Sequence, residues 1–415
     1  MIARKKRLFI FTNCALALYC GAIILFSFET GTTHYAKVIS LLLLILAMYY
    51  KLAKGMKLIV PVPFKLLFVW LTIAVISSLT AIDVKIAIKL LITMTTLIGV
   101  AFIIFNLLIY MGSTKSYQVI LVVMTMLSVM IVLRDISAYS NLGRVFGTVG
   151  NANSFAFLLI AVITICFSIV LFERKIIYKL IFLAGMLVCV YMMLKTGSRK
   201  GMVGLVLAPA LVYFTWAQSA FSVYKAKVMS VGAIGVILVI IVIGYITTSE
   251  HYDRMEVFLT GLTTGEVGED DASVSHRMEL YNQAFNAAMD NIILGVGPNN
   301  LRKIEYGSGL FDSELGAYSH SNYMEILATT GIFGFIFYFS IYAYLYTAFF
   351  KLRRCVLHKY YTQRYTAVFT IFIIISIYDV AMVSYAHKIT WLVMPLIFAE
   401  QYLIQQDYRK KLGMG

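Results

Sequence analysis

Four side chains stand out for chemistry they could share. Arg199 sits in K-T-G-S-R-K-G, a short turn between two apolar runs, and Arg277 in S-V-S-H-R-M-E-L-Y. His320 sits in G-A-Y-S-H-S-N-Y-M-E, with Asn322 and Glu325 just beyond it. Arg144 lies in the glycine- and asparagine-rich N-L-G-R-V-F-G-T-V-G-N-A-N-S-F-A. Arginine presents a planar, permanently charged fork that matches phosphate oxygens. Two such forks near a membrane surface can hold a lipid-linked diphosphate and stabilise the charge it gains on leaving. Histidine titrates near neutral pH and is the natural base to take a proton from an attacking sugar hydroxyl. Taken singly, each has a plainer reading. An arginine at a span end snorkels to headgroups, and a loop histidine is simply solvated. The set gains meaning only if its members share one face.

The elements that must position them are membrane helices. Of 415 residues, 61% are hydrophobic and 13% charged, against roughly 45–50% and about 25% in soluble domains. Mean hydropathy is +0.85. With roughly 20 apolar residues per crossing, the pattern predicts an all-α, polytopic bundle of about twelve spans: 8–28, 38–52, 64–79, 86–110, 117–133, 155–172, 176–194, 202–216, 228–246, 322–350, 365–385 and 389–402. Arg4 to Arg7 precede an apolar run too long for a cleavable signal, so the N-terminus is expected to stay in the cytoplasm.

Charge patterning supports that count. With the N-terminus inside, the first basic cluster, loops 51–65, 111–116, 173–179, 217–227 and 351–364, and the tail hold 22 of the 35 basic residues but three acidic ones. The opposite face holds 13 basic and 16 acidic residues. This is the positive-inside asymmetry of a multi-pass protein of the cell membrane with both termini cytoplasmic. It also accounts for the net charge of +15 without a nucleic-acid partner. Segment 249–321 then becomes one long external loop on a single transmembrane domain, 1–415.

Within that loop, Glu266, Glu269, Asp270 and Asp271 lack the alternating spacing of a calcium site and read as solvated. From 275 to 291, Met278, Tyr281, Phe285, Ala288 and Ile292 recur at helical spacing. They predict an amphipathic helix lying on the bundle or membrane surface, ended by G-V-G-P-N-N. The five cysteines fall in or beside apolar runs without CxxC spacing, which argues against a zinc site. Asp379, in S-I-Y-D-V, is expected deep in a span. A charge at mid-membrane costs about 2.5–3.5 kcal/mol on insertion scales, so either it serves the site or it orients a neighbour.

The C-terminal half resembles the O-antigen ligase and Wzy polysaccharide polymerase superfamily. The resemblance is carried by G-S-R-K-G, S-H-R-M, N-I-I-L-G-V-G-P-N-N-L, G-T-V-G-N-A-N-S-F-A and S-H-S-N-Y-M-E-I-L-A-T-T-G-I-F-G, over roughly 144–379. It implies a GT-C-like helical bundle and an inverting, metal-independent transferase with no cofactor. The donor would be an undecaprenyl-diphosphate-linked oligosaccharide and the acceptor a glycan, with a chain-length regulator or flippase as candidate partners in the lipid bilayer. Its catalytic positions map onto Arg199, Arg277 and His320, and its ligase aspartate onto Asp379. Arg144, Asn322 and Glu325 are substrate-binding candidates. A repeat-unit polymerase is the leading expectation. An O-antigen ligase acting on lipid A core shares the same residues, and a lipid-linked glycan transporter would need charges along several spans.

Overall fold

The computed structural model of this chain describes residues 2–27, 32–135, 145–217, 272–304, 318–353 and 359–411. Among them are twelve α-helices and no strand: α1 Ile2–Leu25, α2 Thr32–Leu52, α3 Val62–Leu79, α4 Val84–Met111, α5 Lys115–Arg134, α6 Ala152–Phe172, α7 Ile176–Lys195, α8 Arg199–Ala217, α9 Ala272–Asp290, α10 Asn322–Arg353, α11 Lys359–Tyr378 and α12 Lys388–Lys411. Eight of them, α2 to α8 and α10, are long and apolar enough to cross a membrane. The apolar parts of α1 and α11 are shorter. The helical membrane bundle is therefore as the composition predicts. The span expected at 228–246 and the acid-rich start of the insertion lie outside the described residues.

Helix α6 is the axis of the bundle. Every side chain from Ser154 to Cys166 is at most 3% exposed, and the helix is apolar on all sides, as a fully enclosed helix must be. Helix α7 packs beside it but turns Ile176, Ile177, Leu180, Ile181 and Leu187 outward, each more than half exposed. In water such a stripe would be a liability; in a bilayer it is the lipid face.

Two expected spans prove discontinuous. Helix α10 breaks at Gly331, where φ is 67° and ψ −172°. A break at membrane depth is tolerated only where protein satisfies the freed backbone groups. Here the segment after α9 does so: Val296 N–H donates to the Ala328 carbonyl at 2.9 Å, Gly297 N–H to Thr329 at 3.0 Å, and Ile332 N–H to Ile292 at 2.8 Å. The Ser77 hydroxyl adds a bond to the Thr329 carbonyl at 2.8 Å. Helix α11 stops at Tyr378 rather than near 385. Asp379 is thus not inside a span but in the turn that follows one.

The amphipathic helix is present as α9, with the bulkier residues of the expected stripe outward and its Ala288 inward. Leu280, Ala284, Ala287 and Ala288 are buried, whereas Met278, Phe285 and Ile292 are exposed. Small side chains let α9 lie close against α10, and the bulky ones point away from it. At the other end of the bundle a buried ion pair, Arg364 Nη2 to Glu400 Oε2 at 2.6 Å, ties α11 to α12.

Candidate active site

The G-S-R-K-G turn is built for a tight reversal between α7 and α8. Gly197 takes φ +57°, a left-handed conformation that glycine adopts without cost. Ser198 caps α8, its Oγ accepting the Gly201 N–H at 3.2 Å. The same hydroxyl donates to Asn153 Oδ1 at 2.8 Å, joining this turn to the N-A-N start of α6. There Asn151 caps α6 by accepting from Asn153 N–H and Ser154 N–H. A Cβ on Gly201 would meet Met193 Sδ at 2.6 Å, so this position keeps α7 and α8 in close contact.

That reversal places Arg199 and Lys200 at the edge of a cavity of about 420 Å³, into which α9 also sends Arg277. The remaining walls come from α8, α11 and the turn after α11 and are mostly apolar, including Val203, Leu207, Ile374, Ile377 and Val380. Among the described residues lining it are three cations and no carboxylate. Cations gathered beside an apolar trough suit a ligand with an anionic head and a hydrocarbon tail.

His320 does not line that cavity. It occupies the turn leading into α10, with φ +57°, and is half-buried. The turn is held from within: Ser319 N–H donates to Glu325 Oε2 at 2.9 Å, and Ser319 Oγ donates to the Ser321 carbonyl at 2.8 Å. Glu325 is 1% exposed, so its carboxylate fixes the histidine turn from below. Arg302, from the 3₁₀ turn Leu301–Lys303, stacks 4.4 Å over the ring of Tyr318, which leads into the histidine turn.

Asp379 ties this turn to the cavity. Its Oδ2 accepts from Asn322 Nδ2 at 3.1 Å and from Tyr342 OH at 2.5 Å. Burial pushes its carboxyl up to about 7, against the lowering effect of these hydrogen bonds. The backbone carbonyls of 379, 380 and 381 form a hub. That of Asp379 accepts from Asn322 N–H at 2.8 Å. That of Val380 accepts from Tyr281 OH at 3.0 Å, four residues along α9 from Arg277. That of Ala381 accepts from Lys200 Nζ. The three elements carrying Arg199, Arg277 and His320 are thus each bonded to one short turn.

Arg199 and Arg277 therefore meet in one cavity, and His320, Asn322 and Glu325 share the neighbouring turn at the same end of the bundle. Arg144 lies outside the described residues; Val145 beside it donates to the Lys195 carbonyl at 3.2 Å. Lys200, Tyr281, Arg302 and His387 are not singled out by their sequence context. His387 Nδ1 lies 3.2 Å from Ser154 Oγ, and burial together with the nearby Lys200 pushes its imidazole below the ordinary value. Lys200 is visible in sequence as a second charge beside Arg199 at a span start. Tyr281 reads there as part of an apolar face, and Arg302 as part of a turn.

The described residues thus form a multi-span helical membrane bundle with a cationic, apolar-walled cavity at one end. Within it, residues 184–339 match the family model described as Wzy_C, O-antigen ligase. The match takes in Arg199, Arg277, His320, Asn322 and Glu325 and bears out the resemblance seen in the motifs, while Arg144 and Asp379 fall outside it. The chain is also 27% identical over 187 residues to the teichuronic acid biosynthesis protein TuaE of Bacillus subtilis (strain 168). That alignment covers 45% of this chain and 35% of the relative.

Proposed function

We propose that this protein is a polysaccharide repeat-unit polymerase of the Wzy kind. Growing glycan on one undecaprenyl-diphosphate carrier is transferred to a sugar hydroxyl of another lipid-linked unit. Arg199 and Arg277 hold the donor diphosphate. His320 takes the proton of the acceptor hydroxyl, whose oxygen attacks the anomeric carbon as the bond to the phosphate oxygen breaks. Undecaprenyl diphosphate leaves with the electron pair, and the anomeric centre inverts. The reading rests above all on one observation: two arginines from separate helices line the same apolar-walled cavity. Fixed charges aimed at a leaving group whose own charge grows during reaction are the strongest form of electrostatic catalysis.

In this reading the site end of the bundle faces away from the cytoplasm, both termini face the cytoplasm, and the protein resides in the cell membrane. Asn322, Glu325 and Asp379 support the histidine turn, and Arg144 belongs to the donor side. The relative's part in teichuronic acid biosynthesis supports a surface polysaccharide as product. The family description, O-antigen ligase, supports a second reading, in which the donor chemistry is unchanged and lipid A core is the acceptor.

The test is reconstitution of the full chain in liposomes with a lipid-linked repeat unit in the presence of EDTA. A ladder of lengthening glycan supports the polymerase, and single transfer onto added lipid A core supports the ligase. Movement of intact lipid-linked unit across the bilayer without new glycosidic bonds would make it a transporter and overturn the proposal.

A further inference from the structure

We propose that Lys200 is a third ligand of the donor diphosphate, one that must release the Ala381 carbonyl in order to bind it. The inference rests on the proposed donor site and adds to it a residue and a consequence. Lys200 follows Arg199 at the start of α8 and lines the same cavity. It is half-buried, and the positive charge of Arg277 is close enough to oppose its own. Its hydrogen-bond partner is the neutral carbonyl of Ala381, and among the described residues no carboxylate forms an ion pair with it. Two like charges held at the edge of an apolar cavity, one of them bound to nothing anionic, form an arrangement that an anion stabilises. Burying a charge without a counter-charge is costly, so a diphosphate entering between Lys200 and Arg277 relieves both.

The partner that Lys200 gives up matters as much as the one it gains. The Ala381 carbonyl belongs to the three-carbonyl hub whose first member holds the backbone of Asn322. When Nζ turns from that carbonyl to a phosphoryl oxygen, the turn at 379–381 loses its link to α8 but keeps those to α9 and α10. Donor occupancy is thereby reported to the element that carries His320. A lysine suits such an exchange better than an arginine, because its compact ammonium rotates on a flexible stem rather than presenting a fixed fork.

The experiment measures binding of farnesyl diphosphate, with farnesol as the uncharged control, to the full chain in detergent by tryptophan fluorescence. Three forms are compared: the unaltered protein, Lys200→Met and Lys200→Gln. Glutamine still offers an N–H to the Ala381 carbonyl but carries no charge. Both variants are expected to bind farnesyl diphosphate at least tenfold more weakly and farnesol unchanged. If Lys200→Gln binds the diphosphate as tightly as the unaltered protein, whether or not Lys200→Met folds, Lys200 is only a structural tie and the inference is overturned alone. If the unaltered protein does not distinguish farnesyl diphosphate from farnesol, the donor site falls and this inference with it.

Discussion

Asn322 and Asp379 hold each other at two points. The Asn322 N–H donates to the Asp379 carbonyl at 2.8 Å, and its Nδ2 donates to the Asp379 carboxylate at 3.1 Å. Asn322 Oδ1 in turn accepts the Tyr385 N–H at 3.1 Å. One asparagine therefore fixes the start of α10, and with it the His320 turn, to both ends of the connection between α11 and α12. Asp379 is fully buried, and its Oδ2 is engaged by Asn322 and Tyr342. In the proposed mechanism its place is that of a positioning residue.

Asp379→Ala should accordingly destabilise the fold. It leaves Asn322 Nδ2 and Tyr342 OH without their acceptor, at about 1–3 kcal/mol for each buried donor left unsatisfied. Asp379→Asn keeps the shape and one acceptor and should cost less. The pH dependence has a definite sign. Burial raises the folded carboxyl to about 7, above its unfolded value, so the folded state binds this proton more tightly. Its stabilising contribution is complete below pH ~4 and fades as pH rises toward 7. Thermal unfolding in detergent between pH 5 and pH 8 should show the parent losing stability across that interval and Asp379→Asn losing less. Equal slopes would remove Asp379 from the account.

His320 sits at φ +57°, a conformation that asparagine also tolerates well. His320→Asn therefore keeps the backbone while removing the proposed base. The variant should accumulate at normal levels, and its transfer rate should fall by about 10²–10⁴, the usual contribution of general-base catalysis. Chain length of the polysaccharide and membrane abundance of the protein measure the two effects separately. Normal chain length would assign proton removal to another group.

Much of this arrangement is legible in the chain, and the remainder is hidden for identifiable reasons. Span limits such as 86–110 and 176–194 fall within a few residues of α4 and α7, because lipid demands long apolar runs and caps them abruptly. The G-S-R-K-G turn and the S-H-S turn are legible because glycine, serine and asparagine mark reversals. The breaks at Gly331 and after Tyr378 are not, since hydropathy records apolarity and not whether the backbone ladder continues. The orientation of α9 is hidden for a related reason: in a membrane protein the bulkiest apolar face points as readily to lipid as to protein. The carbonyl hub at 379–381 is invisible altogether. Its acceptors are backbone atoms, which leave no trace in side-chain identity.

Arg199 separates charge from geometry. Arg199→Lys retains the cation and loses the planar fork, so transfer should fall by roughly 10–100-fold, in line with the ~1.5–3 kcal/mol of a hydrogen bond to a charged group. Arg199→Gln should fall further. Initial rates on a lipid-linked donor measure both, and unaltered rates in the lysine variant would mean that Arg199 merely reaches for headgroups.

Gly331 tests whether the broken helix is needed to hold the site together. Its φ of 67° with ψ of −172° lies in a region that only glycine populates freely, at a cost of about 1–3 kcal/mol for other residues. A Cβ there would also stand 2.2 Å from the Ile293 carbonyl oxygen and 2.8 Å from Leu294 N. Backbone, not a yielding side chain, blocks it. Gly331→Ala must therefore either straighten α10 or push away the segment that satisfies the Ala328 and Thr329 carbonyls. Either movement displaces α9, which carries Arg277, relative to the His320 turn at the start of α10. The variant should give a sharply reduced yield of monodisperse protein, and what survives should bind farnesyl diphosphate more weakly than the parent. By contrast Gly99, in the middle of α4, has nothing within 4 Å of where an added methyl would sit, so Gly99→Ala should leave yield and binding unchanged. If the two substitutions behave alike, the break in α10 has no part in assembling the site.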